Sequence, residues 1–303
     1  MWFKNLVVYR VPARWDMSAE TLAEQLQSQA FAPGSALEEI TAGWAPPLPG
    51  EDDLVVPVQG QLLFTYRQEK KLLPAKVVTQ FVKERAQRME EEDGFKPGRK
   101  QMKELKEQIR DELLPRAFSL SSDTRVWIDP KNGWLAVDTG SATRAEEIFA
   151  LLAKAVQHFP GKPLRLANPV GGAMTGWLAT TEGPRGFTVD QDAELSAKQG
   201  KGSIRYANES LESAELAKHI EGGKQCTKLA LTWSDKVSFV LTDKAEIKRI
   251  RALDLLKESM EGQEGSEPRE RFQADMLLMT RELAQLLDDL VDGLGGEAIA
   301  KAA

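Results

Sequence analysis

The residues of this chain that could do chemistry are few and scattered. His158 and His219 stand at no metal-ligand spacing from each other or from the single cysteine, Cys226. Cys226 lies in the apolar run CTKLALTW and has no basic partner that spacing can identify, so it reads as a buried, reduced thiol. VDTGSAT holds the Asp-Thr-Gly of aspartic proteases, but only one copy is present, and that chemistry needs two converging carboxylates. GEDDL and GGKQCTK lack the glycine-lysine arrangement of a phosphate-binding loop. Asp288, Asp289 and Asp292 are expected to face solvent, away from a neighbouring leucine stripe. No catalytic residue, metal site or cofactor is expected, and the chain is read as a non-enzyme.

What the sequence concentrates instead is positive charge. The formal net charge is −6, yet Arg67 to Phe118 holds 14 Lys and Arg against 10 Asp and Glu, a local excess of +4, and the remainder carries −10. Within Arg99–Leu114, the residues Arg99, Lys103, Lys106 and Arg110 recur at spacings of four, three and four, which lines them along one side of a helix. Met102, Leu105, Ile109 and Leu113 form an apolar stripe beside them. Lys100/Glu104 and Lys103/Glu107 are ordinary helical ion pairs. Arg99/Lys103 and Lys106/Arg110 are like-charged at that same spacing, which costs a little stability, so ion pairing alone does not explain the stripe. Two readings stay open, a solvated helix face and a surface for a polyanion.

The stripe belongs to a helical hairpin, with one arm over Lys76–Glu92, a turn at DGFKPG and a second arm ended by Pro115. On the first arm Val78, Phe81, Val82, Ala86 and Met89 are expected to be buried, with Lys76 and Lys83 opposite. Around this insertion WFKNLVVYR and GQLLFTYRQE read as strands, and Ser18 caps a helix carrying Leu22 and Leu26. RVWIDPKNGWLAVDTG reads as a hairpin whose Asn132-Gly133 supplies positive backbone angles. A helix capped by Ser141 follows, burying Ala145, Ile148, Leu152 and Val156. A second unit begins near Gly161–Gly172, with strands GFTVD, GSIRYA, TKLALTW, VSFVLTD and IKRIRAL, and SDK turning the central pair. GQEGSEPRE reads as a polar loop. DMLLM is ambiguous between strand and helix. The final helix stripes Leu283, Leu286, Leu287, Leu290 and Leu294 along one side and stops at Gly295-Gly296. The chain holds no apolar run long enough to cross a membrane and no signal-peptide pattern at its start, and one cysteine fits a reducing cytoplasm.

MWFKNLVVYR, GWAPPL, EKKLLPAKVV, LLPRAFS, WIDPKNGWLAVDT, TKLALTW, IKRIRALDLL and MTRELAQLLDDLVDGLGGE occur in the order found in the RdgC family of bacterial recombination-associated proteins, which the chain resembles along nearly its whole length. The resemblance implies an α+β fold of antiparallel sheets with packed helices: a central part at 1–74 and 115–165, a protruding helical-hairpin tip at 75–114, and a base part at 166–303. It implies a cytoplasmic, nucleoid-associated protein without catalytic activity. Its homodimer closes into a ring around double-stranded DNA, largely regardless of sequence, and restrains RecA. In a ring, cations need only line the inner wall, so an acidic total is compatible with DNA. The expected phosphate contacts are drawn from Lys70, Lys71, Lys76, Lys83, Arg99, Lys103, Lys106, Arg110 and Arg116, with Lys76 preferred. Phe118 is either core or an anchor at the dimer contact. The acidic run Glu90–Asp93 near the hairpin turn is the departure from a strongly basic tip. The competing reading is a protein-interaction scaffold that uses the hairpin without touching DNA.

Overall fold

A computed structural model describes residues 2–197, 202–207, 211, 214–261 and 267–298, with only the backbone of 258–261. Among these residues the chain is α+β, with eight helices and two antiparallel sheets. The first sheet has the order β2 (Ile40–Ala45), β4 (Gln61–Lys71), β5 (Ser119–Asp129), β6 (Trp134–Val137), β1 (Val7–Arg10), β7 (Lys162–Pro163), and β3 (Val55–Val58) shares an edge of β4 with β2. Alternation along β4 and β5 sends Leu62, Phe64, Tyr66, Val126 and Ile128 to one face. There α1 (Ala19–Gln27) and α4 (Ala142–Ala155) cover them with Leu22, Leu26, Ala145, Ile148 and Leu152. Ser18 and Ser141 cap these helices as their types require, each hydroxyl accepting an N–H three residues on. Leu63, Trp127, Trp134 and Ala136 point to the other face, into a core shared with the second sheet.

That second sheet has the order β12 (Ile247–Ala252), β11 (Val237–Thr242), β10 (Lys224–Trp233), β8 (Phe187–Ala197), β9 (Ser203–Tyr206). Between β10 and β11, Ser234 and Asp235 both take positive φ, 48° and 54°, the pattern of a tight hairpin turn. Around it lie α5 (Val170–Thr180), α6 (Ala214–Glu221), α7 (Asp254–Glu261) and α8 (Pro268–Gly293). Cys226 is fully buried, and burial pushes its thiol up to about 12. No helix among the described residues is long and apolar enough to cross a membrane.

The structure corrects several expectations. DMLLM is helix, and α8 begins at Pro268, inside the stretch expected to be loop; residues 262–266 of that stretch lie outside the described residues. The β5–β6 turn is not built on paired positive angles: only Gly133 has them (φ 76°), and the Asp129 carboxylate holds the loop by accepting from the Lys131 and Asn132 amides and from Asn132 Nδ2. Glycine is required at 133 twice over, since a Cβ there would sit 2.6 Å from the Val11 carbonyl oxygen. Asp288 and Asp292 are exposed as expected, Asp289 is half-buried, and Asp288 and Asp289 also hold indoles. Asp288 accepts from Trp134 Nε1 of the first sheet at 3.0 Å, and Asp289 from Trp233 Nε1 of the second at 2.8 Å. Adjacent aspartates of α8 thus tie it to both sheets. Arg10 stacks over Trp134 at 3.8 Å and pairs with Glu297, fastening the same junction.

Candidate nucleic-acid interface

The hairpin arms are α2 (Ala75–Asp93) and α3 (Arg99–Leu113), followed by a single 3-10 turn at Leu114–Arg116. They pack through a small core of their own, made of Val78, Val82, Leu105 and Ile109. Gly94 ends α2 in the left-handed conformation (φ 79°), and Gln101 Oε1 accepts from the Gly98 N–H at the start of α3. Phe81 was expected in this core. It is 44% exposed, because its position at 100° from Val82 carries it past the seam.

Each arm has two flanks, and the antiparallel packing decides which flanks meet. Arg85 of α2 pairs with Glu112 of α3 at 3.2 Å, which sets one broad face. The opposite face combines the Lys76/Lys83 flank of α2 with the Arg99/Lys103/Lys106/Arg110 flank of α3. Lys83 and Gln87 share a shallow hollow with Lys96, Pro97 and Met102 there. Six of the expected cations therefore share one face, and Lys96, which spacing did not single out, extends it. Glu90 and Glu91 border the same hollow and bound the basic surface at its far end.

The remaining candidates lie elsewhere. Arg116 is on the opposite face, around a hollow with Phe81, Arg85, Arg88 and Glu112. Lys70 and Lys71 end β4 and point to opposite sides of the sheet, Lys71 Nζ donating to the Ala36 carbonyl. Within the basic face, Lys103 and Glu107 are 4.0 Å apart and mostly exposed, so their pairing is weak. Arg110 is ion-paired with Glu39, which moors α3 to the start of β2. Its charge is partly spent on structure.

Phe118 is 84% exposed, which removes the core alternative. Its backbone oxygen accepts from Leu72 N, and register places Ile40, Lys70 and Leu120 side by side across β2, β4 and β5 on the same face. Leu120, Leu72 and Ile40 are 58%, 50% and 48% exposed. Further along, this is the face covered by α1 and α4, but those helices stop short of its end. An uncovered strip results beside the root of the hairpin, apolar except for the exposed Lys70 between Ile40 and Leu120.

Chains of this kind are known. A family model described as "Putative exonuclease, RdgC" matches residues 1–297. The chain belongs to the RdgC family. It is 50% identical to the recombination-associated protein RdgC of Paraburkholderia phymatum over 98% of this chain and 97% of that one. The Cupriavidus pinatubonensis relative of the same name is 51% identical over 98% and 99%. That of a Janthinobacterium species is 50% identical over 99% and 100%. Recombination is thus the setting in which the basic face and the apolar strip must be read.

Proposed function

We propose that this RdgC-family chain is a non-catalytic, largely sequence-independent binder of duplex DNA that acts as a homodimer closed around the duplex and so restrains RecA-dependent recombination. The observation that carries the reading is the single face on which Lys76, Lys83, Arg99, Lys103, Lys106 and Arg110 meet from both arms of the hairpin. Long flexible cations on an exposed helical face suit phosphate oxygens, which offer charge without sequence. No aromatic side chain interleaves them, so stacking on unpaired bases is disfavoured. The apolar strip around Phe118 supplies a place for a second copy, since a patch of this kind beside polar surface marks a contact site. In this reading the central part spans 1–74 and 115–165, the tip 75–114 and the base 166–303, in a nucleoid-associated cytoplasmic protein.

Titration of a labelled, sequence-random duplex at 50 and 200 mM salt tests it. Neutralising six phosphates lowers affinity by about 10³-fold across that range. The triple variant Lys103→Glu, Lys106→Glu, Arg110→Glu should bind weakly at either salt. Equal binding by intact and variant protein would move DNA off this face. Absence of binding at 50 mM salt would favour the scaffold reading, which the exposed apolar strip also supports and which predicts little dependence on salt. The exonuclease of the family description is tested separately. Among the described residues no group of three His, Cys, Asp or Glu side chains is placed to hold a metal ion. An end-labelled duplex incubated with the protein and magnesium is expected to keep its length, and progressive shortening would overturn the non-catalytic reading.

A further inference from the structure

Four cations from three strands border one hollow on the uncovered face of the second sheet, far in sequence from the hairpin. Arg205 comes from β9, Lys228 from β10, and Lys248 and Arg249 from β12; Ala193, Tyr206 and Val240 line the hollow with them, and its volume is about 230 Å³. Successive residues of a regular strand point to opposite faces, yet Lys248 and Arg249 both line this hollow. A bulge is the cause. The pairing of β11 with β12 slips between Ser238↔Arg251 and Val240↔Lys248, and Arg249 takes φ 56°, a conformation side-chain-bearing residues rarely adopt. The bulge is held from outside the sheet, because Arg249 N donates to Asn5 Oδ1 at 3.3 Å and Ile250 N to the Lys4 carbonyl at 2.9 Å.

Charge in the hollow is left unbalanced. Lys228 pairs with Glu194 and Lys248 with Glu246, both at 2.8 Å, while Asp192 is the other carboxylate of the lining. Among the described residues neither Arg205 nor Arg249 has a carboxylate within 4.0 Å. A strained bulge that holds two like charges side by side and presents two guanidinium forks is an arrangement whose charge repulsion one multidentate anion offsets. We infer that this hollow is a phosphate site. Its ligand is a phosphate group held by the Arg205 and Arg249 forks, with Lys248 beside them, either on a nucleic-acid backbone or as free phosphate or a phosphomonoester. The site rests on its own geometry, and only a backbone source depends on the duplex-binding reading.

The test uses the full chain and inorganic phosphate against chloride at matched ionic strength, followed by thermal unfolding. Phosphate at tens of millimolar should raise Tm by about 1–3 °C over chloride, as expected for a millimolar ligand of the folded state. The Arg205→Ala/Arg249→Ala variant should lose that increment. Arg249→Gly should lose most of it too while relieving the strained φ, so a folding defect cannot account for the loss. Duplex titration then identifies the source. A fall of about fivefold or more in Arg205→Ala/Arg249→Ala marks a backbone phosphate, and unchanged duplex affinity marks a free phosphate or phosphomonoester. The hairpin triple variant should keep the phosphate increment, so failure of duplex binding and failure of this site are read separately. Equal Tm in phosphate and chloride for the intact protein overturns the proposal, whatever the duplex does.

Discussion

Hairpin α2–α3 buries four apolar side chains and leaves both flanks in water, whereas α8 buries eleven residues of a single helix between the two sheets. Both are amphipathic, and both carry charges beside their apolar stripes. On α8 the charges that face the sheets are tied down: Glu282 is buried against Lys236 at 2.8 Å, and Asp288 and Asp289 hold indoles, while Arg281 and Asp292 on its outer side stay exposed. On the hairpin most charges remain on exposed flanks, and Arg110 is the member tied to the body. The difference teaches where binding charge can reside. A helix that completes the main core must neutralise locally the charges it turns toward that core, because unpaired buried charge is costly. One that packs only against its own partner keeps its flank for something else.

Core truncation should separate the two regions most sharply. Leu286 of α8 is fully buried, so Leu286→Ala is expected to cost about 2–5 kcal/mol and to shift the main urea transition accordingly. Ile109 is almost as buried, but in the small hairpin core. Ile109→Ala should leave the main transition nearly in place, while amides of 75–113 lose hydrogen-exchange protection first and duplex affinity falls. An equal shift of the main transition by both variants would show that the hairpin folds as part of the body, and the comparison would fail.

A smaller effect is expected at the apolar strip. Phe118→Asp changes a side chain with almost no intramolecular packing, so circular dichroism and Tm should stay as they are. Self-association should weaken by about tenfold or more, read by sedimentation across a range of concentrations, as loss of an aromatic anchor usually requires. A dimer of unchanged affinity would assign the strip another occupant and sharpen the contrast in a different way, since the hairpin root would then be free in the assembly.

Much of this was legible in the chain itself. Ser18 and Ser141 sit before apolar residues at helical spacing, and the caps are found where that pattern requires. The α3 stripe was legible because spacing alone sets a helix flank. Its merger with the α2 flank was not, because relative flank placement depends on how two helices pack, which spacing does not encode. Phe81 was misplaced for the same reason: its wheel position fits either the seam or its edge. The strip at Phe118 was ambiguous because a strand's buried face reads identically whether or not a helix reaches its end. The indole bonds of Asp288 and Asp289 were not legible because their partners, Trp134 and Trp233, are far away in sequence. Arg249 gave no signal, since a bulge arises from mismatched register between strands.

The smallest effect concerns how α8 consumes its charge. Burial raises the Asp288 carboxyl above its ordinary value; Asp129 and Asp289 push the same way, while the Trp134 indole and Arg10 oppose the shift. The folded state therefore holds this proton more tightly than the unfolded chain does. Between the ordinary aspartate value, about 3.9, and the raised one, the native state binds more protons, so this group's contribution to stability is full below that window and lost as pH rises through it. Asp288→Asn keeps an oxygen to accept the indole N–H but cannot ionise. The variant should gain on the intact protein as pH climbs from 4 to 7, read as a small rise in its relative Tm. Paired melts at those two pH values check it. A variant that instead loses ground as pH rises would mean that the ionised carboxylate, through Arg10 and the indole, stabilises the junction. The charges of α8 would then be net stabilising, and local neutralisation would no longer explain why the basic face lies on the hairpin.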